Sequence, residues 1–507
     1  MKILFIVNIV SYSEPMGVMQ LSSILKKHGH DCFLAVIENK DVLKKIEIVK
    51  PDIIAFSIMS VDVNKMIAIN QIIRKKYNIF TIVGGAHPTF DHSFINTPGV
   101  DAICVGEGDE AIVEVVNRIE NNNSVDGIKN IITKTYNNLK LRDLYQDLDN
   151  LPYIDRKLAY EHTELSKIPL RSIYTSRGCP FNCTYCFNNK YKVAFKGHGS
   201  YRRRRSVDSI IEELVNLIAQ YKTEFIRISD DVFLLKTDQW LEDFSQKWKK
   251  YMNLPFYCLL RPELIDYEMI SLLKNAGCNS VHLAIESGND IIRNKVMKRK
   301  VTKQQIIKAH ELCHKFNIRT LTPGIIGMPL TKMEHEFETI DLMIKCKPSL
   351  PGFSIFMPFP GTSLGNYCVE NNLLINSQDW YGTSDTSNLN CFDTKQILAQ
   401  KNLRDLGPIA VKFSFFKNLI LKYLIRINSR GLFSIIGFLS SMYLFDKHII
   451  QIKKTKNDYF SFIKKLKKFY SQSKKTAKEY SKDENIIIPE KQLKKDLNDL
   501  VSNINNY

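Results

Sequence analysis

Residues 173 to 187 read Ile173-Tyr-Thr-Ser-Arg-Gly-Cys179-Pro-Phe-Asn-Cys183-Thr-Tyr-Cys186-Phe187: an apolar run, a glycine, then three cysteines within eight residues. A loop this short wraps soft thiolates around one metal centre, yet three thiolates alone do not complete tetrahedral coordination of a single ion. Two readings stay open. In one, the trio holds a cubane iron–sulfur cluster by three irons and leaves the fourth open to a small molecule. In the other, His198, twelve residues beyond Cys186, completes a structural Cys3His zinc site. Three unrelated buried thiols are a poor account of so close a spacing.

Downstream of the trio the pattern alternates between short apolar runs and helix-period segments. Strands are expected at 172–174, 225–229, 256–260, 281–285, 321–326 and 352–356, with helices at 207–221, 238–250, 267–276, 303–316 and 333–344 between them. Six repeats are too few for a closed eight-fold barrel, so the expectation is an open, partial (β/α)6 barrel with its chemistry at the carboxyl ends of the strands. Asp230-Asp231, Arg261, Glu286-Ser287-Gly288, Gly324 to Pro329 and Pro358-Phe-Pro-Gly361 fall at those ends. Each has a dull explanation: a helix cap, a salt bridge, a tight turn. On successive strand ends of the segment that carries the thiols, they read better as one site.

Upstream, residues 1 to 125 show the same alternation in another form. Buried strands are expected at 3–7, 33–36, 53–58, 80–83 and 102–105, with helices at 16–27, 42–49, 64–76 and 109–120, which makes a doubly wound, Rossmann-like α/β domain. Its ligand crevice belongs at the carboxyl strand ends. Ser11 to Gly17, Ser57-Ile-Met-Ser60, Gly84-Gly85-Ala-His-Pro88 and Gly106-Glu-Gly108 stand there. Taken alone, such glycines more often serve tight turns than ligands. Between the two domains, residues 126–165 form a linker: 128–142 read as an irregular hairpin turning at Asn137-Asn138, and Asp147 to Asp155 is polar, unperiodic and contains Pro152.

Cys-x3-Cys-x2-Cys with Tyr185 before the last cysteine resembles the signature of the radical S-adenosylmethionine (SAM) enzymes. Glu14-Pro-Met-Gly17, Ser57-Ile-Met59, Gly84-Gly85-x-His87-Pro88 and Val105-Gly-Glu-Gly108 resemble the cobalamin-binding domain fused ahead of many of them. Ala284-Ile-Glu-Ser-Gly288, Met297-Lys-Arg299, Gly324-Ile-Ile-Gly-Met-Pro329 and Pro360-Gly361 extend that likeness to about residue 375. The resemblance implies a [4Fe–4S] cluster on Cys179, Cys183 and Cys186, with SAM chelated by the open iron and Tyr185 against its adenine. It puts Asp230 or Asp231 at the SAM ammonium and Glu286 and Ser287 near the sugar or methionine, with Gly324 and Gly327 in the same site. Arg261 is assigned to the SAM carboxylate on its charge alone. Ser57, Gly84, Gly85, Gly106 and Gly108 are implied cobalamin contacts. One departure is clear: the stretch from Ile9 to Gly17 lacks the histidine that coordinates cobalt from below in the wider cobalamin family.

The implied activity is reductive cleavage of SAM followed by methylation, cyclisation or oxidation of an unactivated carbon of a lipid, tetrapyrrole or natural product. A flavodoxin or ferredoxin would supply electrons. Radical methylthiotransferases carry a second cysteine trio ahead of the barrel, and residues 1–165 offer only Cys32 and Cys104. A non-catalytic cobalamin or redox sensor is the reading from another class.

The radical SAM core is placed at 166–385, and the resemblance stops there. Residues 386–507 form a basic helical region: 401–507 hold 22 Lys and Arg against 9 Asp and Glu, a balance of +13 of the chain's +18. Charge confined to one end, without a recognised module, does not point to nucleic acid. The uncharged run Gly431–Phe445 is too short to cross a bilayer comfortably. It fits either a helix lying on an anionic membrane surface or a cap whose apolar face packs on the barrel. Lys453–Lys482 reads as a solvated helix and 485–507 as a last amphipathic one. Scattered cysteines and an amino terminus that continues directly into a strand place the chain in a reducing cytoplasm, with the membrane's inner face as the one peripheral site.

Overall fold

The structure is a computed structural model and describes residues 1–10, 14–161, 163–375, 386–429 and 431–452. Ser11 to Ser13 of the expected crevice, and both tail helices expected beyond Lys453, lie outside the described residues. The chain divides into two compact units: Met1–Pro180 with Phe187–Lys222 and Phe359–Thr362, and Phe181–Cys186 with Thr223–Pro358 and the residues from Ser363 on.

In the first unit β1 (Lys2–Val7), α1 (Met16–Lys27), β2 (Asp31–Val36), α2 (Val42–Val49), β3 (Ile53–Ser57), α3 (Val63–Lys76), β4 (Phe80–Gly84), α4 (Ala86–Phe90), β5 (Ala102–Cys104), α5 (Ala111–Glu120) and β6 (Ile131–Thr133) follow in order. The sheet runs β2-β1-β3-β4-β5-β6. Its first five strands are parallel, and β6 joins β5 antiparallel through Ile103 opposite Ile132. Ile3, Leu4, Ile53, Ile54 and Val83 are fully buried, as expected of continuous apolar strands covered on both faces. Strand order reverses between β1 and its two neighbours, and such a switch opens a crevice at the carboxyl ends.

The polar stretch expected as the domain junction runs along α1. Gln20 Nε2 donates to the Pro152 carbonyl (2.8 Å), Ser23 Oγ to that of Tyr153 (2.6 Å), and the Asp155 amide to that of Met19 (3.0 Å). The physical reason is that the outer face of α1 carries small hydroxyls and an amide, which seek backbone partners when covered. α6 (Arg156–Tyr160), β7 (Leu170–Ile173), β8 (Ser176–Arg177), α7 (Phe187–Ala194), β9 (Arg203–Arg204) and α8 (Val207–Gln220) complete this unit.

The second unit alternates β10 (Phe225–Ile228), α9 (Gln239–Lys247), β11 (Phe256–Leu260), α10 (Tyr267–Ala276), β12 (Cys278–Leu283), α11 (Lys303–Lys315), β13 (Arg319–Ile326), α12 (Met333–Cys346) and β14 (Leu350–Ile355). The five strands pair in parallel in chain order, a singly progressing (β/α) sheet. α13 (Ser363–Glu370), α14 (Thr394–Lys412), α15 (Lys417–Lys422) and α16 (Leu432–Leu444) follow.

Leu403, Leu406 and Ala410 of α14 share one core with Ile326, Ile340, Met343 and Ile355, so the C-terminal segment caps this sheet. Gly407 permits the approach, since a Cβ there would lie 2.7 Å from the Phe353 ring. At the other end of the strands, the side chains of Ser280 and Asn279 donate to the Ile449 carbonyl at 2.6 and 3.0 Å. Among the described residues no helix is long and apolar enough to cross a membrane.

Candidate functional site

The turn that carries two of the three cysteines is closed by the Cys186 amide donating to the Cys183 carbonyl at 3.2 Å. Thr184 in its middle is held from both sides: Oγ1 donates to Val296 O at 2.6 Å, the amide to Met297 O at 3.3 Å, and its carbonyl accepts from Leu364 N at 3.1 Å. Cys183 is buried, while Cys179 and Cys186 are partly open. Gly178 ahead of them sits at φ +87, and a Cβ there would meet the Tyr201 carbonyl at 2.2 Å, so only glycine makes the entry to the loop.

Arg261, at the end of β11, donates from Nη1 to Cys183 Sγ at 3.4 Å. Its Nε donates to Glu263 Oε1 at 2.6 Å and its Nη2 to Arg299 O at 2.9 Å, and the guanidinium lies 3.7 Å over the Phe181 ring. A buried cationic donor aimed at sulfur is what a thiolate ligand of an anionic cluster needs, so this donor set fits a cluster. His198 has another partner: its Nδ1 lies 3.2 Å from Asp143 Oδ1.

Beside the turn stands a second buried set. Tyr185 Oη donates to Glu286 Oε1 at 2.8 Å, Arg299 Nη1 to Tyr185 Oη at 3.4 Å, and Arg299 also pairs with Glu286 at 3.6 Å. Arg299 is anchored by Nη2 on Ala284 O at 3.0 Å. Burial, reinforced by Glu286, pushes the Tyr185 phenol well above its usual range, so it is a neutral donor at any working pH. Burial opposes the Arg299 charge, but the Glu286 carboxylate beside it outweighs that and keeps the guanidinium protonated.

Glu286 itself adopts φ +63, an uncommon conformation for a residue with a side chain. It forms a parallel bridge to Gly324, and the Ile325 amide donates to its carbonyl at 2.8 Å. Gly288 seats α12, since a Cβ there would lie 2.2 Å from the Glu338 carbonyl. The local strain at Glu286 is therefore held by backbone on two sides.

Of the other expected contacts, Ser287 is buried and its Oγ accepts from the Asn289 amide at 3.2 Å, which turns it toward its own loop. Asp230 is buried and Asp231 exposed. Gly327, at φ +71, donates its amide to Glu336 Oε1 at 2.9 Å, and Thr331 Oγ1 donates to the same oxygen at 3.1 Å. Burial pushes the Glu336 carboxyl up to about 7.

Arg299, Glu263 and Glu336 escaped the reading of the sequence as site residues. Arg299 left a signal in the Met297-Lys-Arg299 motif. Glu336 left none, because it lies in an ordinary amphipathic helix.

In the first unit, Ser57, Gly84, Gly85, Gly106 and Gly108 all line one cleft at the carboxyl strand ends, together with Phe5, Ala55, Ile82 and Cys104. Their glycines divide into two kinds. A Cβ at Gly85 (φ +102) would lie 2.5 Å from Ile58 O, and one at Gly106 (φ +82) 2.3 Å from the Phe195 ring, so the chain's own packing requires these two. At Gly84 and Gly108 a Cβ would meet nothing closer than 3.5 Å. Their bare backbone leaves a smooth, largely apolar wall, which fits a large flat ligand such as cobalamin. His87 is buried against Phe94, with Nδ1 3.2 Å from Ser60 Oγ, and burial lowers its pKa.

Residues 173–343 match the Radical SAM superfamily, and residues 3–116 match the B12 binding domain. An uncharacterized methyltransferase of Pyrococcus horikoshii is 27% identical over 401 residues, 76% of this chain and 85% of that one. The hopanoid C-3 methylase of Methylococcus capsulatus is 24% identical over 361 residues, 69% of this chain and 67% of its own. In fold the chain is similar to the radical SAM methyltransferase TsrM of Kitasatospora setae, solved with cobalamin and a [4Fe–4S] cluster bound. There the TM-score is 0.61 at 17% identity, over 75% of this chain and 76% of that one.

Proposed function

We propose, from the premise that this chain joins a B12 binding domain to a radical SAM domain and so belongs to the cobalamin-binding radical SAM enzymes, that it methylates an unactivated carbon of a small molecule. When bound, a [4Fe–4S] cluster with SAM supplies a 5′-deoxyadenosyl radical, and cobalamin supplies a transferable methyl group.

The chain's own residues prepare that chemistry. Cys179, Cys183 and Cys186 would hold the cluster. Arg261 was expected at the SAM carboxylate, but its donors are engaged by Glu263, Cys183 and Arg299 O, and we assign it to the cluster sulfur. The single observation that carries the reading is that N–H on Cys183 Sγ, beside the buried Tyr185–Glu286–Arg299 set.

Glu286, its left-handed backbone held by Gly324 and Ile325 and its carboxylate oriented by Tyr185 and Arg299, presents acceptor oxygens for a sugar hydroxyl or ammonium, and Ser287 and Gly324 shape the same wall. Asp230, the buried member of its pair, is the better partner for the SAM ammonium, with Asp231 toward solvent. Gly327 completes the mouth. On the cobalamin side, Gly84 and Gly108 keep the cleft wall bare and Ser57 offers a hydroxyl at its edge.

The likeness to a hopanoid methylase supports a lipid or other apolar small molecule as acceptor, with tetrapyrroles and natural products in the same class. A flavodoxin- or ferredoxin-type donor supplies electrons in the cytoplasm. The methylthiotransferase reading is disfavoured by Cys32 and Cys104, the two cysteines before residue 165. Burial pushes their thiols up to about 11 and about 12, away from the thiolate form a second cluster needs.

Anaerobic reconstitution with iron, sulfide and a reductant tests the proposal. Wild type should cleave SAM to 5′-deoxyadenosine and pass isotope from the SAM methyl group to a metabolite in cell extract. A Cys183→Ala variant that kept full cleavage would end it.

A further inference from the structure

We infer that the outer face of the C-terminal cap, centred on α16, is a docking surface for an anionic lipid bilayer. The inference stands apart from the radical SAM reading. Its first observation is a helix with its polarity reversed.

α16 carries no charged residue. Its innermost residues are Ser434, whose hydroxyl donates to the buried carboxylate of Asp405, and Gly437, where a Cβ would lie 2.4 Å from the Asp405 carbonyl. Leu432, Ile436, Leu439 and Tyr443, spaced four, three and four residues apart, share the opposite face and are 54%, 38%, 40% and 61% exposed. A surface helix of a water-soluble domain is ordinarily built the other way round.

The exposed apolar groups are concentrated here. Ten of the 24 large apolar side chains exposed among the described residues fall between Phe413 and Tyr443, and scattered single residues would need no explanation where such a concentration does. Phe413, Phe415 and Phe416 cluster in contact with one another, with Phe415 74% exposed. Like α16, this turn packs against α14.

Charge chooses the partner. Residues 412–447 contain six Lys and Arg and a single acid, Asp446. Lys422 and Arg426 are exposed beside exposed Tyr423 and Ile427, and Lys447 lies 5.3 Å over the Tyr443 ring. Exposed apolar side chains interspersed along the chain with cations and tyrosines match the boundary between acyl chains and anionic headgroups. A second copy would bring like charges together. A 13-residue helix is too short to span a bilayer and long enough to lie in its surface.

Co-sedimentation of the full-length protein with vesicles of phosphatidylglycerol, and with vesicles of phosphatidylcholine alone, is the test. Anionic vesicles should be bound at least about tenfold more tightly, and about 0.5 M salt should weaken that binding strongly. The double variant Ile436→Gln/Leu439→Gln, on the exposed face, should bind anionic vesicles about tenfold less tightly with an unchanged melting temperature. Should that variant fold poorly, Lys422→Glu/Arg426→Glu serves in its place with the same expectation. Equal binding to both vesicle types overturns the inference, as does binding unaffected by the variants. So does a solution dimer of wild type that the double variant converts to monomer, since a second copy would then cover the stripe.

Discussion

Arg261 is the residue on which the chemistry turns most directly. Its Nη1 proton on Cys183 Sγ would stabilise the more negative, reduced state of a cluster held by the trio. Arg261→Gln removes both the proton and the cation, so reduction becomes harder and the cluster midpoint should fall. A lost hydrogen bond of about 1 kcal/mol corresponds to roughly 40 mV for one electron. An anaerobic redox titration followed by electron paramagnetic resonance reads this, and a midpoint that rises contradicts the assignment. Tyr185→Phe deletes the donor to Glu286 and leaves the Arg299 pair at 3.6 Å in place. SAM affinity should drop about five- to tenfold while the cluster spectrum stays unchanged. Glu336 predicts a pH effect. Its folded-state pKa, about 7, lies above the unfolded value near 4.5, so the folded protein binds the extra proton between those limits and loses stability as pH rises through them. The loss is at most about 3 kcal/mol. Glu336→Gln should flatten the dependence of melting temperature on pH between about 5 and 8, and a wild type already flat there would refute the burial argument.

Among the elements, those with continuous apolar runs were legible in advance, because parallel strands covered on both faces leave little room for polar residues. α1, α2, β11 and α10 fall where their periodicity placed them, at Met16–Lys27, Val42–Val49, Phe256–Leu260 and Tyr267–Ala276. β6 was legible only as part of a hairpin, since three residues beside Asn130 carry too short a pattern to announce a sheet strand. α4 and α7 were hidden by what precedes them: Gly84-Gly85 reads as a loop, and Phe187 follows directly on the cysteines. The cysteine trio and the bare-backbone glycines were local in sequence and so visible. The Tyr185–Glu286–Arg299 set joins residues more than 100 positions apart; the family likeness put Tyr185 and Glu286 in one site, but no local pattern marked Arg299 as their partner. For α16 the apolar composition was plain, but which face turns inward was not, because Ser434 and Gly437 look like the outer side until Asp405 is placed. Gly437→Ala therefore makes a prediction belonging to this element. The new methyl collides with the Asp405 carbonyl, a backbone atom that cannot swing away. The stability lost should be about 2 kcal/mol or more in denaturant unfolding, although alanine is the better helix former.

At the scale of the whole molecule, each unit has a core of its own and a charged centre of its own. In the first unit Glu14 is the hub. Its carboxylate pairs with Arg156 and accepts from Tyr160 Oη at 3.0 Å and the Ser172 amide at 3.0 Å, while Glu213 pairs with Arg156 at 3.2 Å and Arg205 at 2.6 Å. The side chains of Glu14, Arg156, Glu213 and Arg205 are all at least nine-tenths buried. In sequence Glu14 figures only in the Glu14-Pro-Met-Gly17 likeness, yet its carboxylate joins the start of α1 to partners 142 to 158 residues further on. Removing one partner of such a set strands a buried charge and costs about 3–5 kcal/mol, far more than losing an exposed pair. Two cores with separate anchors should unfold separately, so calorimetry of the intact chain should resolve two overlapping transitions. Glu14→Gln should lower the one belonging to the first unit and leave the other where it is, whereas Gly437→Ala should do the reverse. If both substitutions move the same transition, the two units melt as one cooperative body and the independence of their cores is refuted.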